Sequence, residues 1–200
     1  MDMITLKNVV VLKGDIPFLN GASLTISDGI TFCYGGVGCG KTTLCETVMG
    51  ITEIVKGTVE KHCKTAIVAR NTDLLSQLTL TQNIKMLLDL HDSKTGAFEI
   101  LKMFDLDQVS GARFTKLTPL QKALAKLACA VASDAELIIC DDLEAGLNTQ
   151  DKHKLYNNSM LMLRREHGYS FLIVSGDNNA ANIADKQYKL SDGKITEVRI

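Results

Sequence analysis

One glycine-rich stretch constrains the fold of this chain more than any other part of its sequence. The stretch fits the pattern G-x-x-x-x-G-K-[ST] and consists of Gly35, Gly36, Val37, Gly38, Cys39, Gly40, Lys41, Thr42 and Thr43. An apolar strand candidate, Ile30 to Tyr34, precedes it, and a helical pattern follows. Glycines let a loop wrap a phosphate without Cβ clashes, while backbone N–H groups and the following helix N-terminus attract the anion. The stretch therefore predicts a nucleotide phosphate site.

Two residues at the end of this stretch have separate predicted roles. Lys41 is expected to reach the β and γ phosphates of a nucleotide, and Thr42 is expected to ligate Mg²⁺. The alternative is a glycine-rich turn that matches the pattern by chance. The strand before the loop and the helix after it argue against chance.

A pair of carboxylates forms the second candidate site. Asp141 and Asp142 directly follow the apolar run Leu137 to Cys140, which is typical of a buried parallel strand. Ligands bind at the carboxyl ends of strands in open α/β sheets, and Mg²⁺ prefers oxygen ligands. Asp141 fits the acidic residue that holds Mg²⁺ in phosphate-loop NTPases. A strand that merely ends in an acidic turn is the alternative, and the phosphate loop upstream argues against it.

Strand and helix patterns alternate along the chain, which predicts an α/β fold with a mostly parallel sheet. Residues 4–12 and 22–27 predict an N-terminal β layer, and the helix that starts at Lys41 is expected to stop at Gly50. Residues 73–116 read as a helical subdomain inserted into a single domain of residues 1–200. Further strands are predicted at 57–60, 65–69 and 170–175, helices at 120–131 and 150–166, and a hairpin from Tyr188 to Ile200.

The charge and the apolar content of the sequence limit which kinds of binding partner are expected. The chain has 22 basic and 23 acidic residues and a net charge of −1, so no basic field predicts binding to nucleic acid. No apolar run approaches the roughly 20 residues that span a bilayer, and no secretory signal opens the sequence, so we expect a cytoplasmic chain. The six cysteines show no zinc-ligand spacing, so we expect no metal beyond nucleotide-bound Mg²⁺.

The order of these segments resembles the ATP-binding subunit of ABC transporters over essentially the whole chain. The glycine-rich stretch matches the Walker A motif, and residues 136–148 look like the Walker B and D-loop block ELLLLDEPTSALD. Residues 74–84 are similar to the stretch after the Q-loop, and residues 171–193 to the closing strand and H-loop. The resemblance implies a P-loop NTPase with an ABC-type RecA-like core, an N-terminal antiparallel β subdomain, and ATP with Mg²⁺ as ligands.

The signature segment departs from the family pattern. LSGGQ aligns with Leu117 to Gln121, where only Thr118 and Gln121 keep comparable groups. In the family, the signature backbone touches the γ-phosphate held by the opposite subunit of a head-to-tail dimer. Pro119 has no N–H group, and Leu120 adds bulk where backbone must approach closely.

The groups that act on water depart as well. Arg70 occupies the position of the Q-loop glutamine, and Gly176 that of the switch histidine. Asp142 replaces the catalytic glutamate with a base one methylene shorter, while Lys41 is retained as the catalytic lysine. The aromatic residue that stacks on adenine would fall near Leu12 or Lys13, and neither is aromatic. We therefore expect intact ATP binding, weakened adenine stacking and slow hydrolysis by an ABC-type ATPase.

The resemblance implies an ATP-binding subunit that couples ATP to transport by separate membrane-spanning subunits, on the inner face of the membrane. A second ATP-binding subunit would complete a homodimer or a heterodimer. In size and layout the chain is similar to small exporters such as the haem exporter ATPase of cytochrome c maturation. The alternative is a regulatory or structural nucleotide-binding subunit that hydrolyses ATP slowly or not at all and pairs with a competent ATPase. A soluble kinase or GTPase is disfavoured, because no N-K-x-D motif follows.

Overall fold

The computed structural model describes residues 1–198, so the end of the predicted hairpin at Ile200 lies outside the described residues. The strands are β1 (Asp2–Lys13), β2 (Ile16–Ser27), β3 (Ile30–Tyr34), β4 (Lys56–Lys61), β5 (Thr65–Ala69), β6 (Leu137–Asp141), β7 (Ser170–Ser175), β8 (Lys186–Ser191) and β9 (Lys194–Val198). The α-helices are α1 (Lys41–Met49), α2 (Leu80–Leu90), α3 (Ala97–Met103), α4 (Pro119–Ala132), α5 (Thr149–His153) and α6 (Leu161–His167).

The larger sheet has the strand order β5-β6-β7-β3-β8-β9 within residues 1–198. All neighbouring pairs are parallel except β8 and β9, so the predicted mostly parallel sheet is confirmed. Asp141 pairs with Ala69 on one side and with Val174 on the other. Tyr34 pairs with Ser175 in the next register along the sheet. The carboxyl ends of four strands therefore meet at one edge.

The smaller sheet confirms the predicted N-terminal antiparallel layer. Its order is β2-β1-β4, and β1 pairs antiparallel with both neighbours. Alternating apolar residues of β1, such as Ile4 and Leu6, are buried. They join α1 and one face of the larger sheet in a common hydrophobic core.

The larger sheet is buried on both faces, which explains its uninterrupted apolar strands. In β6, Leu137 and Ile139 face the core shared with α1 and the smaller sheet. Ile138 and Cys140 face a second core that includes α2, α3 and α4. Because successive side chains point to opposite faces, both sets must be apolar.

The first helix of the region predicted as helical from Asp73 begins only at Leu80, with Thr79 as its N-cap. Residues 74–79 form a loop that the buried side chain of Asn83 fastens to α2. The Asn83 carboxamide accepts from the Leu75 N–H at 2.9 Å and donates to the Leu75 and Thr79 carbonyls at 3.2 and 2.9 Å. These bonds offer the loop backbone an alternative to helical hydrogen bonds.

The helix predicted over residues 150–166 is a continuous helical run whose middle is π-helical. Residues Lys154–Met160 form the π-helical part between α5 and α6. A π-helical turn has i→i+5 bonds and therefore rotates the following side chains relative to an α-helix. In this segment Leu155, Tyr156 and Met160 are buried in the core beside the larger sheet.

All six cysteines lie in the described part of the chain and are free. Cys33, Cys45 and Cys140 are buried on β3, α1 and β6, whereas the other cysteines are partly exposed. Burial raises the pKa of the Cys33 thiol to about 12. Among residues 1–198, no helix combines the length and the apolar character needed to cross a membrane.

Candidate nucleotide site

The glycine-rich loop is packed on one side and open on the other. A Cβ atom at Gly35 would lie 2.4 Å from the Leu190 carbonyl oxygen, and one at Gly40 would lie 2.5 Å from the Phe18 carbonyl oxygen. Gly40 also has a left-handed φ of 105°, which L side chains rarely adopt. A Cβ at Gly36 would meet nothing within 4 Å. The loop backbone is therefore pressed against β2 and β8, and its other side leaves space for a ligand.

Lys41 opens helix α1 and folds over this loop. Its ammonium donates to the Gly35 and Gly36 carbonyls at 3.1 Å each, and it lies 4.0 Å from Asp142 Oδ2. Gly40, the N-cap, offers no side-chain acceptor to the first N–H groups of α1, and the first turn carries no acidic residue. Free N–H groups at a helix N-terminus, together with a lysine ammonium, form a site for an anion.

Asp141 and Thr42 form a pair suited to a hard cation. Asp141 is buried at the end of β6, and its Oδ1 atom has no hydrogen-bond partner. Burial raises the pKa of the Asp141 carboxyl, while a hydrogen bond from Thr42 opposes the rise. An unpaired buried carboxylate oxygen is costly. The orphaned oxygen beside a threonine hydroxyl therefore fits Mg²⁺, which takes oxygen ligands.

Asp142 lies close to two other predicted site residues, Lys41 and Gly176. It adopts a left-handed φ of 46° directly after β6, and its Oδ1 accepts from the Gly176 N–H at 3.0 Å. A Cβ atom at Gly176 would lie 3.9 Å from both Asp142 Oδ1 and Lys41 Nζ. The structure thus brings Lys41, Asp142 and Gly176 together at the carboxyl edge of the sheet.

Arg70 approaches the same edge through its backbone. It follows β5, and its N–H donates to the Asp141 carbonyl at 3.0 Å. Its own carbonyl accepts from the ammonium of Lys126 on α4 at 2.7 Å, and the Ala69 carbonyl accepts from the same group at 2.9 Å. Burial lowers the pKa of Lys126, and Asp73 opposes that effect. Lys126 therefore links α4 to the backbone that is hydrogen-bonded to Asp141.

The signature-like segment serves as a helix start. Thr118 Oγ1 accepts from the Gln121 N–H at 3.3 Å, and Gln121 Oε1 accepts from the Thr118 N–H at 3.0 Å. Pro119 occupies the first turn of α4, and Leu120 packs partly against the helical core. Each of the two side chains with family-like groups thus accepts from the backbone N–H of the other residue, which forms a capping box. The sequence T-x-x-Q carried this signal.

Phe18 is an aromatic residue beside the glycine-rich loop, and the sequence analysis did not predict it as a site residue. The hairpin register pairs Leu12 with Pro17 and Lys13 with Ile16, so Phe18 on β2 follows directly. Lys13 Nζ lies 5.6 Å from the centroid of the Phe18 ring. Phe18 also lines a cavity of about 540 Å³ together with loop residues Gly36 to Cys39. An aromatic face is therefore available near the expected adenine position, although neither Leu12 nor Lys13 supplies it.

Comparison with known proteins agrees with this geometry. A family profile described as ABC transporter matches residues 19–145. The spermidine/putrescine import ATP-binding protein PotA of Haemophilus influenzae is 24% identical, over 98% of this chain and 57% of the relative. The ABC transporter ATP-binding protein YtrE of Bacillus subtilis is also 24% identical, over 92% of this chain and 89% of the relative. The chain thus spans little more than half the length of the first of these curated relatives.

Solved structures show the same fold. A nucleotide-free ATP-binding cassette from an ABC transporter superposes with a TM-score of 0.86 at 20% identity, covering 100% of this chain and 92% of the other. A dimeric cassette bound to ADP and phosphate superposes with a TM-score of 0.83 at 21% identity, covering 99% of this chain and all of the other. Since the family profile also covers more than half of the sequence, the chain belongs to the ABC transporter family and carries its ATP-binding domain.

Proposed function

We propose that this chain binds Mg-ATP as the ATP-binding subunit of a membrane ABC transporter. The observation that carries the proposal is the convergence of an open phosphate loop, Lys41 and the unpaired oxygen of Asp141 at one sheet edge. PotA and YtrE, to which the chain is similar, are both named as ATP-binding proteins of transport systems.

The residues would divide the binding task as follows. Backbone N–H groups of residues 35–43 and the Lys41 ammonium would hold the phosphates, and Thr42 with Asp141 would hold Mg²⁺. The ion, when bound, neutralises phosphate charge. Asp142 would accept a proton from the attacking water. The Phe18 ring would offer a face to the adenine base.

Binding is tested by exchanging one lysine at the site. Lys41→Ala should weaken Mg-ATP binding by about tenfold or more, the value of a charged hydrogen bond. Lys7→Ala is the matched control, because Lys7 is an exposed lysine paired with Glu60 on the antiparallel sheet. Isothermal titration calorimetry gives both dissociation constants. Equal affinities of the two variants would overturn the proposed site.

We further propose that hydrolysis by the isolated chain is slow. The Asp142 side chain is one methylene shorter than the glutamate that serves as the base in the family, and Gly176 has no side chain to replace the switch histidine. Thr118 and Gln121 are hydrogen-bonded in the capping box at the start of α4. A purified chain with a turnover of about 1 s⁻¹ or more would contradict this proposal. Asp142→Glu extends the base by one methylene and should raise the rate if reach limits it.

The helical segment of residues 73–116 is the proposed docking region for membrane-spanning subunits. An apolar groove of about 270 Å³ runs between β5 and α2 and is lined by Leu74, Leu75 and Met86. Leu75 is 49% exposed and Met86 43% exposed, although both are large and apolar. Exposed apolar patches of this kind mark interaction sites. Bound there, the chain would sit peripherally on the inner face of the membrane.

Co-purification from membranes tests the docking proposal. Met86→Glu should release the chain from membranes and leave ATP binding unchanged, because a carboxylate is costly in an apolar interface. Lys85→Glu changes the charge of the neighbouring exposed residue of α2 and is the control for a purely electrostatic effect. Release by neither variant would contradict docking at this groove.

A second ATP-binding subunit, identical or different, would complete a dimer. Lys41→Ala in the assembled complex separates the two cases. Full loss of turnover would assign hydrolysis to this chain, whereas little loss would favour the regulatory alternative. The exporter-like layout is a hypothesis on direction, and PotA is named as an import protein. Uptake and release assays in vesicles of both orientations decide the direction.

A further inference from the structure

A buried carboxylate near the site has no role in the mechanism above. Glu144 is 3% exposed and lies two residues beyond Asp142, after β6. Its Oε1 atom accepts a short hydrogen bond from the hydroxyl of Ser175, the last residue of β7. Burial raises the pKa of the Glu144 carboxyl, and the bond from Ser175 opposes the rise. A buried carboxylate is costly to keep, so its position calls for a physical explanation.

Ser175 connects Glu144 to the segment that touches Asp142. The Ser175 hydroxyl oxygen also accepts from the Asp177 N–H at 3.0 Å. The Asp177 carboxylate is held in turn by the Lys152 ammonium at 2.6 Å and by the Asn179 N–H at 3.0 Å. Side-chain hydrogen bonds therefore fix both neighbours of Gly176.

Gly176 makes one hydrogen bond within the described part of the chain, through its backbone N–H group. Its N–H donates to Asp142 Oδ1 at 3.0 Å, and the Asp142 N–H donates to the Val174 carbonyl at 2.9 Å. Asp142 is thus fastened to the end of β7 through both its backbone and its carboxylate. The direction of that carboxylate depends on where the Gly176 N–H points.

We propose that the Gly176 N–H orients the carboxylate of Asp142, and that Glu144 is a positioning residue that holds this N–H in place through Ser175. The inference rests on the proposed function in one respect, because Asp142 must act on the attacking water for its orientation to affect turnover. The backbone group fixes one carboxylate oxygen and leaves Oδ2, 4.0 Å from Lys41 Nζ, on the side of the phosphate loop. A fixed orientation favours proton transfer, since misplacement by about 1 Å can cost about 10²-fold in rate.

The chain offers a matched control at the other end of the same strand. Ser170 and Ser175 are the first and last residues of β7, and each is buried. The Ser170 hydroxyl donates to Asp28 Oδ1 at 2.8 Å and accepts from the Gly29 N–H at 3.1 Å. Each serine therefore bonds one carboxylate and one backbone N–H group, but Ser170 lies roughly 17 Å from the site at strand spacing.

Amide hydrogen exchange at Gly176, measured by NMR on the full chain, tests the positioning directly. Ser175→Ala and Glu144→Leu should each speed exchange at Gly176 by about fivefold or more, the equivalent of one lost hydrogen bond. Glu144→Gln keeps an acceptor for the Ser175 hydroxyl, so exchange at Gly176 should be as slow as in the wild type. Ser170→Ala should leave exchange at Gly176 unchanged. Equal effects of the two serine variants, or no effect of either, would overturn the proposal.

Single-turnover hydrolysis of Mg-ATP supplies the second readout. Ser175→Ala should lower the rate about tenfold with an unchanged dissociation constant, and Ser170→Ala should lower neither. A change in affinity without a change in rate would contradict a positioning role. Failure of the wild-type chain to bind Mg-ATP would overturn the proposed function, and the exchange comparison would still decide the positioning. If Glu144→Leu does not fold, Ser175→Ala carries both measurements.

Discussion

Two adjacent glycines of the phosphate loop should respond in opposite ways to the addition of one methyl group. In Gly35→Ala the new Cβ would lie 2.4 Å from the Leu190 carbonyl oxygen and 2.5 Å from Cys39 Sγ. An ordinary contact is about 3.4 Å, so one partner must move by about 1 Å. The Cys39 side chain can rotate, but the Leu190 carbonyl belongs to β8 and cannot move without disturbing the pairing of Leu190 with Ile195 of β9. Gly36→Ala meets nothing within 4 Å.

The expected magnitudes follow from this difference. Overpacking costs about 1–3 kcal/mol, so Gly35→Ala should lower the free energy of unfolding by about 2 kcal/mol and Tm by about 6 °C. Gly36→Ala should keep both values without nucleotide and should instead weaken Mg-ATP binding, because its methyl group would lie on the open side of the loop, where the phosphates are proposed to bind. Urea unfolding without nucleotide, combined with calorimetric titration, separates the effects. A Gly35→Ala variant as stable as the wild type, or equal destabilisation by both variants, would refute the packing argument.

Three further outcomes are expected. Phe18→Ala should weaken binding of ATP more than of inorganic triphosphate, by about 1 kcal/mol, because only ATP can stack on the ring; titration with both ligands checks this. Asn83→Ala should lower the free energy of unfolding by about 2–3 kcal/mol in urea titrations, since its side chain satisfies Leu75 and Thr79 backbone groups, and an unchanged midpoint would contradict it. Glu144 has a folded pKa raised above 4.5, so the folded state binds its proton more tightly and stability falls as pH rises from 4.5 through that raised pKa. Glu144→Gln should remove this loss, and unfolding curves of both proteins at about pH 4.5 and pH 7.5 measure it.

Local patterns were sufficient to predict most of the core of the fold. The apolar run before Asp141 and the glycine pattern before Lys41 depend on neighbouring residues alone, so both strands and the helix of α1 appear as expected. The capping box of Thr118 and Gln121 was also present in the sequence as T-x-x-Q. Because the segment aligns with LSGGQ, it was compared with the family signature and not interpreted as the start of a helix, which is what the structure shows.

Features that depend on distant pairing could not be predicted. Phe18 reaches the loop only because the hairpin register places it there, five residues beyond Lys13. Glu144 and Ser175 are 31 residues apart and meet because β6 and β7 are neighbours in the sheet. The π-helical turn around Tyr156 is likewise absent from the helical periodicity of the sequence, and its buried residues lie in the core beside the larger sheet.

The reactivity of three buried thiols should report local unfolding of the chain. Cys33, Cys45 and Cys140 lie on β3, α1 and β6, which flank the glycine-rich loop and carry the proposed magnesium ligand Asp141. A thiol is modified as its thiolate, and burial denies both solvent and charge to these groups. Their alkylation therefore requires the centre of the nucleotide site to come apart, and the slowing of alkylation by ATP would report occupancy of the site without any label on the nucleotide.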